Sequence, residues 1–334
     1  MGFWRLALAY MVIASHTRGY QEKFSIDIGG IAVAAFFFIS GFLMPMTYAA
    51  HYQKHGVWLG IGKFYWNRIL RLYPIYWASL FCILGLQLAG YLIRGYSNWQ
   101  ANALSYAQNF LLLGLNQSTL WGGDLRFNNP AWSLDVELQY YLVAPVLVLL
   151  ANKSILSAQM ILGVATTISL ILFFDPIGVV DVDRSLLAYG VFFVLGFSFY
   201  QSIITKKLHY IFLPLLITIL AVVIAKSTGK DVLTFLITIV FIAISAALLL
   251  LQSNQNASRK GKLAGDLSYP VYIFHIVFIG YIELTTSFFL RANGFEESFG
   301  VNFVAHILFS TLVSMLALKF IASPIESLRA RIRA

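Results

Sequence analysis

Charge is scarce in this sequence. Of its 334 residues, 11% are Asp, Glu, Lys or Arg and 59% are hydrophobic, where a soluble domain carries roughly 25% charge. A soluble fold of that composition would present large apolar patches to water. The shortage therefore excludes an ordinary soluble protein and predicts a surface covered by lipid. Cysteine is nearly absent as well. The single one, Cys82, lies in an apolar run, which excludes an intramolecular disulfide and a cysteine-based zinc site and reads as a small buried hydrophobe. Acids are few, 14 against 23 bases, for a net charge of +9. Those bases sit in short segments between apolar runs. The excess thus reads as the positive-inside bias of a membrane protein, with no nucleic-acid partner implied. No segment between the runs is long enough for a separate soluble domain.

Aromatic residues are plentiful at 16%, as expected of interfacial Tyr and Trp belts. A membrane span needs about 20 mostly apolar residues. Windows of that kind fall at 2–17, 28–50, 69–93, 132–151, 159–174, 185–204, 209–225, 232–251, 267–290 and 301–322. We therefore predict an all-α, polytopic integral membrane protein of about ten transmembrane helices around a polar interior cavity, a single domain over 1–334. The run Phe3–Ser15 has the length of a signal-peptide core. It carries Arg5 and lacks a small-x-small cleavage pattern, so it reads as the first span. The stretch 101–115 is interrupted by Asn102, Gln108 and Asn109 and is left open between spanning, re-entering and lying at the interface. With both termini in the cytoplasm, the inner segments hold more of the 23 Lys and Arg residues than the outer ones, as the positive-inside rule asks. No internal repeat of the transporter kind is visible.

Ionisable side chains within spans are costly and so are functional candidates. Arg5 and His16 are eleven residues apart, close to three helical turns, which puts them on one face about 16 Å apart. Snorkelling of Arg5 and capping by His16 are the plainer alternatives. Arg68 and Arg71 share a helix face at i, i+3. Two guanidinium forks there match phosphate oxygens, or merely anchor the third span as inside-facing charges. Asp135 and Glu137 fall in the first turn of the fourth span, where acids complement the helix dipole. Glu137 shares a face with Ser133 and is also placed to hydrogen-bond a histidine. Ser268, Tyr272 and His275 share a face of the ninth span. His51 and His55 have a metal-ligand spacing but no acidic third ligand nearby, so no metal is expected. Asn116 and Asn256 open glycosylation-type triplets that are common by chance. Glu283, His306 and Lys319 are further polar groups without an assigned role.

In chain order, five blocks stand out: Arg5–Leu6–Ala7 with His16; Phe36–Phe37–Phe38–Ile39–Ser40–Gly41–Phe42–Leu43; Arg68-x-x-Arg71 with Pro74 and Tyr76–Trp77; Trp132–Ser133–Leu134 with Glu137 and Tyr141–Leu142; and Ser268–Tyr269 with Tyr272 and His275. Together they resemble the acyltransferase 3 family of bacterial membrane acyltransferases over essentially the whole chain. The resemblance implies transfer of an acetyl or similar acyl group from acyl-CoA, with acetyl-CoA as co-substrate, to a hydroxyl of an extracytoplasmic or lipid-linked glycan such as a surface polysaccharide. It implies His16 as the catalytic histidine, Arg5 as its partner in the same helix, and Arg68 and Arg71 at the acyl-donor end. With Glu137 added as a catalytic carboxylate, Ser40, Trp132, Ser133, Tyr269 and His275 are expected to line the site. The expected setting is a bacterial inner membrane. Arg5 lies nearer the start than is usual in the family, Asp135 stands where a small polar residue is common, and no fused esterase-like domain is expected. The competing reading is a proton-coupled small-molecule transporter with His16, Glu137, His275 and Glu283 along its path.

Overall fold

The computed structural model describes residues 1–94, 102–115, 126–151, 155–174, 185–208, 210–212, 214–219, 232–253, 258–295 and 298–333. Among them every regular element is a helix. The principal helices are α1 (Gly2–His16), α2 (Ile28–His51), α3 (Val57–Arg94), α4 (Ala103–Leu111), α5 (Ala131–Ala151) and α6 (Ile155–Phe174). They continue with α7 (Leu186–Thr205), α8 (Val232–Ser253), α9 (Arg259–Phe274), α10 (Ile279–Ala292), α11 (Phe299–Ala317) and α12 (Ser323–Arg333). Six helical stretches are long and apolar enough to cross a membrane, or seven if the bent pair α9–α10 is one span. The chain is a multi-pass membrane protein, with fewer full-length spans among the described residues than the ten expected. Of the predicted span 209–225, residues 210–212 and 214–219 are described and are helical, too short a stretch to count as a full span. With 15 residues, α1 is only about 22 Å long.

At the centre, α2 packs against α1, α5, α7 and α8. Asp27 starts it by accepting the Gly30 N–H at 2.9 Å, which satisfies one of the orphan donors of a helix start. Lipid tails are as apolar as leucine, so helices in a bilayer associate through close packing and not by escape from water. Between α2 and α7 that closeness is set by two glycines. A Cβ at Gly41 would lie 2.3 Å from the Phe193 carbonyl oxygen, and one at Gly196 would lie 2.1 Å from that of Phe38. Phe37 and Phe193 stack across the same contact at 4.6 Å. Outward-facing Leu92, Ile93, Leu284 and Phe288 are more than two-thirds exposed, as expected of side chains that meet lipid.

Two predicted spans come out differently, and the open stretch 101–115 takes one of its alternatives. Helix α3 starts at Val57, not at 69, so Arg68 and Arg71 lie well inside a helix about 57 Å long. The nine residues of α4 are too few to span a bilayer. Its last turn is pinned to α3 instead: Tyr73 and Tyr76 donate O–H bonds to the Leu111 and Asn109 carbonyls, and Trp77 donates its N–H to that of Phe110. The ninth predicted span, 267–290, is not one helix. It bends by 82° between α9 and α10, and His275 stands at the break, its Nδ1 2.6 Å from the Tyr272 carbonyl oxygen. At the far end, α11 runs through a wide turn, Leu318–Ala322, into α12, which lies against α3. There Asn67 donates to the Arg329 carbonyl at 3.0 Å.

Candidate active site

Two cavities open along α1. The first, about 60 Å³, is lined by Arg5, Ser40, Arg71, Ser133, Glu137, Tyr141, Ser268, Tyr269 and apolar side chains of α2. The second, about 470 Å³, is lined by His16, Ser15, Tyr20, Asp27, Trp132 and Tyr189 among others. The eleven-residue spacing of Arg5 and His16 thus puts one at each of two chambers, about 16 Å apart along the helix axis.

In the Arg5 cavity the polar groups hold one another. Ser40 and Tyr141 both donate hydroxyl hydrogens to Oε1 of Glu137, at 2.8 and 2.7 Å. Arg5 feels the charges of Arg71 and Glu137. Glu137 is the single acidic residue of the lining, so two guanidiniums face one carboxylate and the formal balance is +1. Guanidinium forks in an apolar wall suit a phosphate-bearing ligand. Tyr269 donates to the Leu72 carbonyl at 2.7 Å and Ser268 to that of Gly265 at 2.7 Å, which fixes the α9 wall.

Arg68 was expected beside Arg71, and the structure separates their surroundings. Arg68 is not part of the cavity lining. It is buried, with its guanidinium over the rings of Phe64 at 5.4 Å and Tyr141 at 6.0 Å and Nη1 3.5 Å from the Met44 sulfur. The i, i+3 spacing gives neighbouring directions, but Arg68 turns into an aromatic nest of Tyr48, Tyr52, Phe64 and Tyr141. Arg329 of α12 adds a cation near Arg71 and Arg68. It is held by Glu326.

In the second cavity His16 is exposed to the open space. Its Nδ1 lies 2.9 Å from the Val12 carbonyl oxygen. A carbonyl can only accept, so Nδ1 carries the proton and Nε2 presents its lone pair. The end of a helix leaves carbonyls without backbone partners. Here Ser15 and Thr17 side chains donate to those of Val12 and Ile13, which holds the last turn and fixes the histidine. The buried His275 ring lies 5.1 Å from that of His16. Trp132 packs on Tyr189 at 5.2 Å and edge-on to Phe37 at 6.2 Å. Burial and the nearby Asp27 push the Tyr20 phenol above its ordinary range.

Glu137 was expected to orient a histidine, and it does not lie with His16. It lines the other cavity, where its hydrogen bonds go to Ser40 and Tyr141. Asp135 is fully buried. It accepts the Leu115 N–H at 2.7 Å and the Gln139 amide at 3.0 Å, tying α5 to the segment after α4. His306 and Glu283 meet the turn after His16: His306 bonds Thr17 Oγ1 at 2.9 Å, and Glu283 accepts the Arg18 N–H at 2.8 Å. His55 has its Nε2 3.2 Å from the Lys63 ammonium; burial, then Lys63 and Lys54, press its imidazole below the ordinary range. No group of three or more metal-ligand side chains forms among the described residues. The Asn116 triplet and Asn256 itself lie outside the described residues.

A family model described as an acyltransferase domain, that of the acyltransferase 3 family, matches residues 3–319. An uncharacterized protein of Haemophilus influenzae is 32% identical over 146 residues. That match covers 42% of this chain and 56% of the relative, so the chain aligns with little more than half of that protein. No solved structure matches.

Proposed function

The chain belongs to the acyltransferase 3 family, and from that premise we propose that it moves an acetyl or similar acyl group from cytoplasmic acyl-CoA to a hydroxyl of an extracytoplasmic or lipid-linked glycan. The observation that carries this reading is the pair of cavities at the two ends of α1, one with Arg5 and Arg71, the other with His16. A nucleotide thioester is anionic at its head and reactive at the tip of a long flexible arm. The arginine-lined chamber suits the head, and His16 lies where the tip would arrive. In this reading the Arg5 end faces the cytoplasm of a bacterial inner membrane. Both chain termini lie at that end, since Arg333 of α12 acts on His51 and Arg329 on Arg71.

The chemistry then follows from the His16 tautomer. Nε2 takes the proton of an acceptor hydroxyl as its oxygen attacks the thioester carbonyl. The carbon–sulfur bond breaks, and the CoA sulfur leaves with the electron pair and recovers the proton. The same lone pair also allows a transient acyl-imidazole, which acid quenching of the labelled enzyme would trap. The acyltransferase domain match over residues 3–319 favours acyl transfer over the transporter reading. The test is to incubate purified protein with acetyl-CoA and a panel of glycan acceptors and to follow both thiol release and label on the glycan. Acceptor-dependent thiol release is expected. Its absence with every acyl-CoA and acceptor tried refutes the reading.

A further inference from the structure

Among the described residues, the two cavities have two lining residues in common, Val33 of α2 and Tyr272 of α9. Both are buried. Tyr272 is held across the divide: its hydroxyl meets Ser133 Oγ, of the Arg5 chamber, at 2.7 Å and donates toward the carbonyl of Pro130, of the His16 chamber, at 3.1 Å. Its ring is edge-on to Phe36 at 6.0 Å. Its own carbonyl holds Nδ1 of His275, whose ring lies against that of His16. Val33, Phe37 and Ser40 follow one another at helical spacing on α2, from the partition into the Arg5 chamber.

We propose that Val33 and Tyr272 form the constriction that the acyl end of the donor passes to reach His16, and that their side chains set the longest acyl group transferred. The proposal rests on the function proposed above. The argument is steric. Along the interior, a group bound by the arginines meets His16 after passing the two described residues that both chambers share. A rigid aromatic ring pinned at its hydroxyl and a β-branched side chain leave little room to adapt. An acetyl group is short enough to pass such a gap, whereas each further methylene must find space beside Val33. In an apolar pocket, one methylene more or less changes discrimination by roughly tenfold or more.

The test uses the full chain in detergent or vesicles, with acetyl-, butyryl- and hexanoyl-CoA as donors, and reads CoA binding beside acyl transfer. Val33→Ala is expected to raise hexanoyl transfer relative to acetyl transfer by about tenfold. Val33→Phe is expected to lose transfer of every acyl group while still binding CoA. Tyr272→Phe, which frees the ring from Ser133 and Pro130, is expected to broaden the acyl profile in the same direction as Val33→Ala. CoA binding certifies folding; if Val33→Phe fails that check, the other two variants decide. Wild-type transfer with unchanged acyl profiles in Val33→Ala and Tyr272→Phe overturns the constriction alone. Failure of the wild type to transfer from any acyl-CoA overturns the proposed function and the constriction with it.

Discussion

Arg68 and Arg71 look like one device in the sequence, and their surroundings predict that they are two. Arg71 lines the cavity that also holds Arg5 and Glu137. Replacing it by Gln takes the lining from two guanidiniums and one carboxylate to one of each. A hydrogen bond to a charged group contributes about 1.5–3 kcal/mol. Losing one such contact to a phosphate therefore weakens CoA binding by roughly 10- to 150-fold, at about 1.4 kcal/mol per factor of ten. Arg68→Gln removes a cation held by Phe64, Tyr141 and the Met44 sulfur. A desolvated cation–π contact contributes about 2 kcal/mol, so that variant loses thermal stability and changes CoA affinity by less than about threefold. The assay is equilibrium binding of labelled CoA to each purified variant, paired with its melting temperature. Equal losses of affinity in the two variants, with wild-type melting, would refute the argument and restore the pair as a single phosphate clamp.

Three further outcomes are expected. His16→Ala keeps CoA binding, because its chamber is not the arginine chamber, and loses transfer by about 10²-fold or more; measuring both on one preparation decides, and retained transfer removes the histidine from the chemistry. Glu137→Gln keeps an oxygen to accept from Ser40 and Tyr141 but withdraws the carboxylate that lines the cavity with Arg5 and Arg71. The variant folds, binds CoA no more weakly and transfers about tenfold more slowly, and wild-type turnover would reduce Glu137 to a structural acceptor. Gly196→Leu pushes a side chain against the Phe38 carbonyl and destabilises the α2–α7 contact by about 1–3 kcal/mol, read as a lowered melting temperature in detergent; an unchanged midpoint would mean the helices separate freely.

Hydropathy alone located α2, α5, α7 and α8 to within two residues at each end, because each holds an apolar run long enough to cross a bilayer. The same signal failed where packing, not lipid, sustains the helix. The first turns of α3 carry Lys63 and Asn67, which depress hydropathy. Yet the helix continues there because Phe64 sits among Tyr48, Tyr52 and Tyr141. The bend at His275 left no mark either. His275–Ile276–Val277–Phe278 contains no glycine or proline, and the turn is made by a side chain taking the Tyr272 carbonyl.

For the site, periodicity gave the shared face of Arg5 and His16 but not the neighbours that each side chain meets. Arg5 and His16 share a face of α1 and do address the same interior, because eleven residues return to the starting angle. The fourth block shows what is missing from such reasoning. Trp132 and Glu137 are five residues apart on α5, about 7.5 Å along its axis. That distance is enough for Trp132 to line the His16 chamber and Glu137 the Arg5 chamber. A carboxylate and a histidine that both point inward thus pass for partners in the sequence and stand on opposite sides of Tyr272 in the fold. Tyr272 itself was legible only as a member of a polar face. Its place between the chambers depends on Ser133 and Pro130, which come from a different helix and its approach, and no spacing within one segment records which neighbour a side chain will meet.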